Sequence, residues 1–293
     1  MKRGAFLEHV GWTGAGIVFT VSDLGVVRAA AGAADAPSWS FVQISDSHIG
    51  FHQAPNEHVA DTLVATVDAI NGLARQPAFV MHTGDVTHLS KPAQFDDAKN
   101  ILGRLKAPLF TLPGEHDVIG DAGKAYFASF GKRGPGDGWY SFDMKGTHFV
   151  ALVNVFNFET MGLLGQAQLD WLRDDLAALR RDVPLVVFGH VPLYALYPAW
   201  GWSTEDGAKA LALLRRFDAV TVLNGHIHQI ATHVDGNIRF ATARSTAYPQ
   251  PEPGKADKPG PLLVPKDHLL DVIGYRTVEL AGPAARFEDH ALQ

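Results

Sequence analysis

Ala219-Val220-Thr221-Val222-Leu223-Asn224-Gly225-His226-Ile227-His228 is a short apolar, β-branched run that breaks into glycine and then two histidines one residue apart. The run reads as a buried strand. Its carboxyl end then carries two metal-capable imidazoles. Four upstream segments share this arrangement. Residues 184–188 lead into Gly189-His190, 108–112 into Gly114-Glu115-His116-Asp117, 78–83 into Gly84-Asp85, and 39–45 into Asp46-Ser47-His48. In each, an acid or a histidine follows a predicted strand, at the edge where α/β sheets place their ligands.

Between these strands the apolar spacing turns helical. Val59, Leu63, Val67 and Ile70 predict a helix over 56–74, and similar patterns mark 92–105, 166–179 and 204–216. The last is expected to start at a capping Ser203 or Thr204, with Glu205 and Asp206 in its first turn. Residues 139–143 and 147–153 flank Met144-Lys145-Gly146 and predict a hairpin. Further strands are expected at 229–234, 238–242 and 272–280, and a long surface loop at 249–265. Alternating β and α units followed by hairpins predict a mixed α/β layered sandwich. No linker divides the chain after residue 36, so 36–293 reads as one domain.

Composition narrows the chemistry. Of 293 residues, 46% are hydrophobic and 19% charged, the balance of a globular chain with a sizeable core. The net charge of −6 argues against an extended nucleic-acid surface. There is no cysteine, which excludes disulfides, thiolate metal sites and thiol nucleophiles. Any metal must be held by imidazole, carboxylate, amide or water. At the amino terminus, Lys2 and Arg3 precede an apolar stretch over 10–21 and small residues over 29–34. This predicts a cleaved export signal within 1–35 and a periplasmic or extracellular mature chain; the alternative is a cytoplasmic protein whose first helix packs on the domain. Lys2-Arg3-Gly4-Ala5-Phe6-Leu7 resembles a twin-arginine signal with lysine in the first arginine position. The apolar stretch is too short to span a bilayer, so no transmembrane span is expected in the mature chain.

Taken in order over 43–228, the five motifs resemble those of the calcineurin-like metallophosphoesterases, and most of all the bacterial cyclic-nucleotide phosphodiesterase branch. The resemblance implies a four-layer α/β/β/α sandwich of two mixed sheets with a dinuclear metal site at one sheet edge. It implies two divalent or mixed-valence transition-metal ions, Mn, Fe or Zn. Asp46, His48 and His228 would complete one metal position, and His190, His226 and residue 115 the other, with Asp85 as the bridge. The reaction implied is attack of a metal-bridging hydroxide on phosphorus. His116 matches the family histidine that protonates the leaving group, and Asp117 beside it is expected to orient its ring.

Two positions depart from the family pattern. Glu115 stands where asparagine is usual. With two divalent ions and a bridging hydroxide, Asp46, Asp85 and Glu115 bring the formal charge near zero. That favours a monoanionic diester over a dianionic monoester, or a trivalent ion at one position. His88 stands where many relatives carry Asp or Asn, as a further site histidine or a surface residue. Tyr194 and Tyr197, near Trp200 and Trp202, are either a substrate lip or a packed loop, and Arg244 either a phosphate ligand or half of a surface ion pair. Nine of the 14 histidines lie outside the motifs; His82 is expected in a strand interior, and His52 near the first motif. Phe156 and Phe158 are expected in the core. The function expected is hydrolysis of a small phosphorylated substrate, a diester by preference. The alternatives are a phosphomonoesterase and a metal-binding pseudoenzyme that recognises a phosphorylated ligand.

Overall fold

The computed structural model describes Phe19–Ser22, Gly25–Arg28 and residues 38–292. The chain divides into two compact units, 1–37 and 38–293. In the first, β1 (Phe19–Ser22) and β2 (Gly25–Arg28) form an antiparallel hairpin. The rest of the expected export signal lies outside the described residues.

The second unit contains two mixed sheets. One has six strands and the other five. The five-stranded sheet is built from β3 (Trp39–Ile44), β4 (Val80–His82), β5 (Leu109–Thr111), β12 (Gly274–Ala281) and β13 (Ala284–Ala291). Strands β3, β4 and β5 run parallel, while β12 and β13 add an antiparallel edge. The six-stranded sheet comprises β6 (Tyr140–Met144), β7 (Thr147–Ala151), β8 (Leu185–Gly189), β9 (Val220–Asn224), β10 (Thr232–Asp235) and β11 (Ile238–Thr242). Its centre, β7-β8-β9-β11, is parallel, with antiparallel strands at both edges.

Successive strand side chains point to opposite faces, and the central strands are apolar on both. On β7 and β8, Phe149, Val186 and Phe188 face the other sheet, whereas Val150, Leu185 and Val187 face the helices. The layer between the sheets is aromatic. Phe41 and Phe79 stack at 4.8 Å, and Phe149 meets both edge-on at 5.7 and 5.3 Å. Phe149→Ala would leave a cavity there and cost about 3–5 kcal/mol. Helices α1 (Val59–Asn71), α2 (Pro92–Leu102) and α3 (Lys124–Phe130) cover the five-stranded sheet, with the short α6 (Leu269–Val272) packed at their edge. Helices α4 (Gln166–Ala177) and α5 (Gly207–Leu214) cover the other. The result is the expected four layers, α/β/β/α. Among the described residues, no helix is long and apolar enough to cross a membrane.

The predicted elements recur with shifted ends, and α3, α6 and β13 were not anticipated. Helix α5 begins three residues later than expected, because neither Ser203 nor Thr204 caps it. The Thr204 hydroxyl donates to the Pro192 carbonyl at 2.9 Å, and Asp206 accepts the amides of Leu164 and Gly165, both at 2.9 Å. Those polar side chains tie two loops together instead of opening the helix.

Candidate metal centre

The five motif loops meet at the carboxyl ends of β3, β4, β5, β8 and β9. Backbone bonds lace them together: Asp46 N–H to Gly84 O (3.0 Å), His48 N–H to Asp85 O (2.9 Å) and Gly225 N–H to His190 O (3.0 Å). The loops turn sharply. Asp46, His48, Asp85, His226 and His228 all have positive φ, between 43° and 70°. Such conformations are uncommon outside glycine and cluster where function holds the backbone in place. Two motif glycines are required sterically. Gly84 has φ +98°, and a side chain there would strike the His190 ring. A Cβ on Gly114 would collide with the Asp85 carboxylate.

Seven expected ligands converge. Asp46, His48 and His228 form one cluster, and Glu115, His190 and His226 another. Asp85 Oδ2 lies between them, 3.6 Å from His48 Nε2 and 3.4 Å from His190 Nε2. Nε2 of His228 is 3.5 Å from Asp46 Oδ1 and 3.2 Å from His48 Nε2. The Glu115 carboxylate reaches His190 Nε2 at 2.8 Å and His226 Nδ1 at 2.9 Å.

Outer hydrogen bonds fix which ring nitrogens face inward. His190 Nδ1–H donates to Thr83 O and His228 Nδ1–H to Tyr248 O, each at 2.7 Å, which turns both Nε2 atoms into the cluster. Asp46 accepts the His226 amide at 3.0 Å, and Asp85 Oδ1 accepts the His116 amide at 2.8 Å. His48 Nδ1 lies 3.3 Å from His88 Nδ1. With His48 Nε2 turned to the cluster, His48 Nδ1–H donates and His88 accepts.

The donor set fits two cations. His190 Nε2, both ring nitrogens of His226 and Glu115 Oε2 are buried and make no well-angled hydrogen bond. Burial raises the Asp46 carboxyl to about 7; His190 opposes this and Asp85 adds to it. For Glu115 burial acts in the same direction, but the charges of His226 and His190 win and hold it well below the usual carboxylate range. His190 is likewise driven well above its ordinary value, against burial, by Asp85 and Glu115. Two buried carboxylates, Asp46 and Asp85, with the half-buried Glu115 beside them, need compensating positive charge. Divalent ions would supply it in place of imidazolium protons.

Of the expected catalytic pair, only His116 faces this centre. Its Nδ1–H donates to His88 O at 2.7 Å, leaving Nε2 on the cavity side. Asp117 does not orient that ring. It is fully buried and accepts the amides of Val86 (3.0 Å), Thr87 (2.8 Å) and Gly114 (3.0 Å) and the Thr87 hydroxyl (2.9 Å). Those bonds hold the Asp85 and Glu115 loops in register.

Above the ligands opens a cavity of about 440 Å³. His88 lines it and stacks on His116 at 4.9 Å. Trp200, Trp202 and Phe158 form another wall; Phe158, half-buried, also packs against the core cluster of Trp139, Val153, Val155 and Val191. Tyr194, Tyr197 and Arg244 do not line it. Tyr194 packs on His233 and Phe240, Tyr197 meets Trp200 edge-on, and Arg244 Nη1 donates to Asp271 O at 2.7 Å. His52 is exposed on the surface, and His82 is buried against Ser47 Oγ at 2.8 Å. Sequence reasoning missed Phe51, Tyr248 and Gln250. Tyr248 stacks on His48 at 5.0 Å, and Gln250 Nε2 donates to the carbonyl of His226 at 2.9 Å. Neither belongs to a motif; only their place just beyond β11 could have drawn notice.

A family description of calcineurin-like phosphoesterases matches residues 40–230, more than half of the chain. This chain belongs to the calcineurin-like phosphoesterase family. As a member it is a metal-dependent phosphoric ester hydrolase. This phosphoesterase is 27% identical over 221 residues to a glycerophosphodiester phosphodiesterase of Enterobacter lignolyticus, covering 71% of this chain and 77% of that one. It is 31% identical over 206 residues to a probable cyclic nucleotide phosphodiesterase of Rhodopseudomonas palustris, covering 64% and 70%. Its fold is similar to that of a dimetal phosphatase from Danio rerio, with a TM-score of 0.66 at 14% identity over 87% of this chain and 96% of that one.

Proposed function

We propose that this phosphoesterase hydrolyses phosphodiesters, with Asp46, His48, Asp85, Glu115, His190, His226 and His228 as metal ligands and His116 as the proton donor. The observation that carries the diester preference is Glu115, whose carboxylate lies within reach of His190 and His226. It lowers the centre's charge by about one unit relative to asparagine, which weakens attraction to a dianion more than to a monoanion. The phosphodiesterase names of the two relatives support the same reading.

Two cations held there would polarise the phosphate oxygens and lower the pKa of water. The remaining work falls to the chain. Water gives one proton to solvent as its oxygen joins phosphorus, the P–O bond to one alcohol breaks, His116 Nε2 gives its proton to the departing oxygen, and solvent reprotonates His116. Burial works against a charged His116, but Asp85, Glu115 and the bond to His88 O hold its pKa above the ordinary imidazole value. Bound cations would offset part of that. Phe158, Trp200 and Trp202 form an apolar wall of the cavity. Mixed oxygen and nitrogen donors without thiolate suit Mn, Fe or Zn. We further place the mature chain outside the cytoplasm, on the basic start and short apolar stretch alone. An intact Met1 on cytoplasmic protein would refute that placement.

The deciding experiment compares bis-p-nitrophenyl phosphate with p-nitrophenyl phosphate after loading with Mn, Fe or Zn. The diester should have the larger kcat/KM. A clear monoester preference would make this a phosphomonoesterase, and metal binding with no turnover of either would make it a pseudoenzyme.

A further inference from the structure

Beside the metal cavity lies a larger one of about 1110 Å³, beneath the loop at 249–265. We propose that it receives an aliphatic arm of the phosphodiester substrate; this rests on the diester reading above. The two cavities share His228, Gln250, Pro259, Gly260 and Pro261 as lining, so the metal-ligand candidate His228 borders both spaces.

The loop is a fixed wall. Leu262 N–H donates to Pro249 O at 2.8 Å and closes its ends. Gln250 Nε2 donates to the carbonyl of His226 at 2.9 Å, and Gly260 N–H donates to Gln250 Oε1 at 3.1 Å. The strap over Pro259–Pro261 is therefore pinned to a metal-ligand loop. Prolines within it restrict its unfolded alternatives.

The lining selects the occupant. Ile230, Leu262, Leu263 and Val272 present aliphatic surface. Leu263 is 72% exposed, and Ile230 and Leu262 are each 40% exposed. Large apolar side chains left open together around a concavity mark a binding surface. Apart from the His228 imidazole, no aromatic ring lines this cavity, so a nucleobase would find no aromatic stacking platform. Rings gather instead around the smaller cavity, at Phe51, Phe158, Trp200, Trp202 and Tyr248. Arg244, Lys255 and Lys258 are offset at the rim by Glu252 and Asp257, so a polyanion gains little there. The substrate class that fits is a soluble, single-chain ester: a monoanionic phosphodiester with one aliphatic alcohol.

The test uses the full chain, metal-loaded, with p-nitrophenyl methyl, butyl, hexyl and octyl phosphates as monomers. Water adds to phosphorus, the bond to the aryl oxygen breaks, and alkyl phosphate and p-nitrophenolate leave. From methyl to octyl, kcat/KM should rise at least about tenfold, with roughly fourfold per fully buried methylene as the ceiling. Titration calorimetry with methyl(octyl)phosphinate, which has no ester bond to break, should show tighter binding than dimethylphosphinate. Leu263→Asp and Ile230→Asp alter exposed side chains and should flatten both trends. The octyl-to-methyl ratio is the readout, because losses common to both substrates cancel. Diester hydrolysis indifferent to chain length, or a trend kept in both variants, would overturn the proposal. Cleavage of monoesters alone would defeat the diester reading, and the phosphinate titration would still decide the cavity.

Discussion

Glu115 Oε2 lies 2.8 Å from His190 Nε2, while its Oε1 lies 2.9 Å from His226 Nδ1. One carboxylate thus spans both histidines of the second cluster. Glu115→Asn should keep an oxygen donor in place while making the centre about one unit more positive. The monoester-to-diester ratio of kcat/KM should then rise by about 1–2 kcal/mol in free energy, roughly five- to thirtyfold. Metal affinity should fall. An unmoved ratio with unchanged metal content would remove Glu115 from the ligand set.

Asp85 Oδ2 stands between the two clusters, at 3.6 Å from His48 and 3.4 Å from His190. Asp85→Ala should lower kcat by on the order of a thousandfold or more and empty at least one metal position. Elemental analysis together with turnover checks both halves. Substantial activity with two metals retained would be incompatible with a bridging role.

His88 takes up the Nδ1–H of His48 at 3.3 Å, a position more often filled by a carboxylate or carbonyl behind a metal-bound histidine. His88→Ala should weaken metal binding by about ten- to a hundredfold, and His88→Asp should recover most of it. Equal affinity in all three proteins would show that His88 only lines the cavity.

Asp117 accepts three backbone amides and one hydroxyl while fully buried. Asp117→Asn turns one acceptor into a donor facing donors, and should destabilise the fold by about 1.5–3 kcal/mol. The pH dependence of kcat should keep both limbs, with the His116 limb moved at most modestly downward, since Asp117 acts on that ring only through its charge while His88 O holds it. Complete loss of the limb assigned to the proton donor would restore the catalytic role.

Far from the metals, His148 on β7 bonds Asp143 at 2.8 Å and Asp175 of α4 at 3.0 Å. Burial disfavours its charge, but the bonds and charges of Asp175 and Asp143 outweigh burial and raise its pKa above 6.5. A raised folded-state pKa gives stability that is fully present below the unfolded value and disappears as pH rises through the folded one. The stability gap between wild type and His148→Gln, from urea unfolding, should therefore be larger at pH 5.5 than at pH 9. A gap that grows toward high pH would contradict the sign.

The motif loops were legible because two local signals coincide in them. Strand-like apolar runs end at glycine, and the ligand residue comes next; Gly84-Asp85 and Gly225-His226 are instances. The short apolar, β-branched run at 219–223 likewise marked β9 as a buried strand. Helix ends were less legible, because Thr204 and Asp206 found partners in distant loops at Pro192, Leu164 and Gly165.

By itself, the sequence determined the positions of most strands and helices, since these depend on residue type and local spacing, and its resemblance to a known family named the seven candidate ligands. Only the tertiary structure decided what surrounds them. Tyr248 and Gln250 reach the centre because β11 pairs with β9 and carries the following segment past His226 and His228. Tyr194, Tyr197 and Arg244 are kept from it by packing and by a bond to Asp271 O. Asp117 sits beside His116 in the chain, but the 3-10 turn at Glu115–Asp117 sends the two side chains to different partners. Adjacency along a backbone fixes distance and leaves direction free, and direction is set by the hydrogen bonds that each buried group must find.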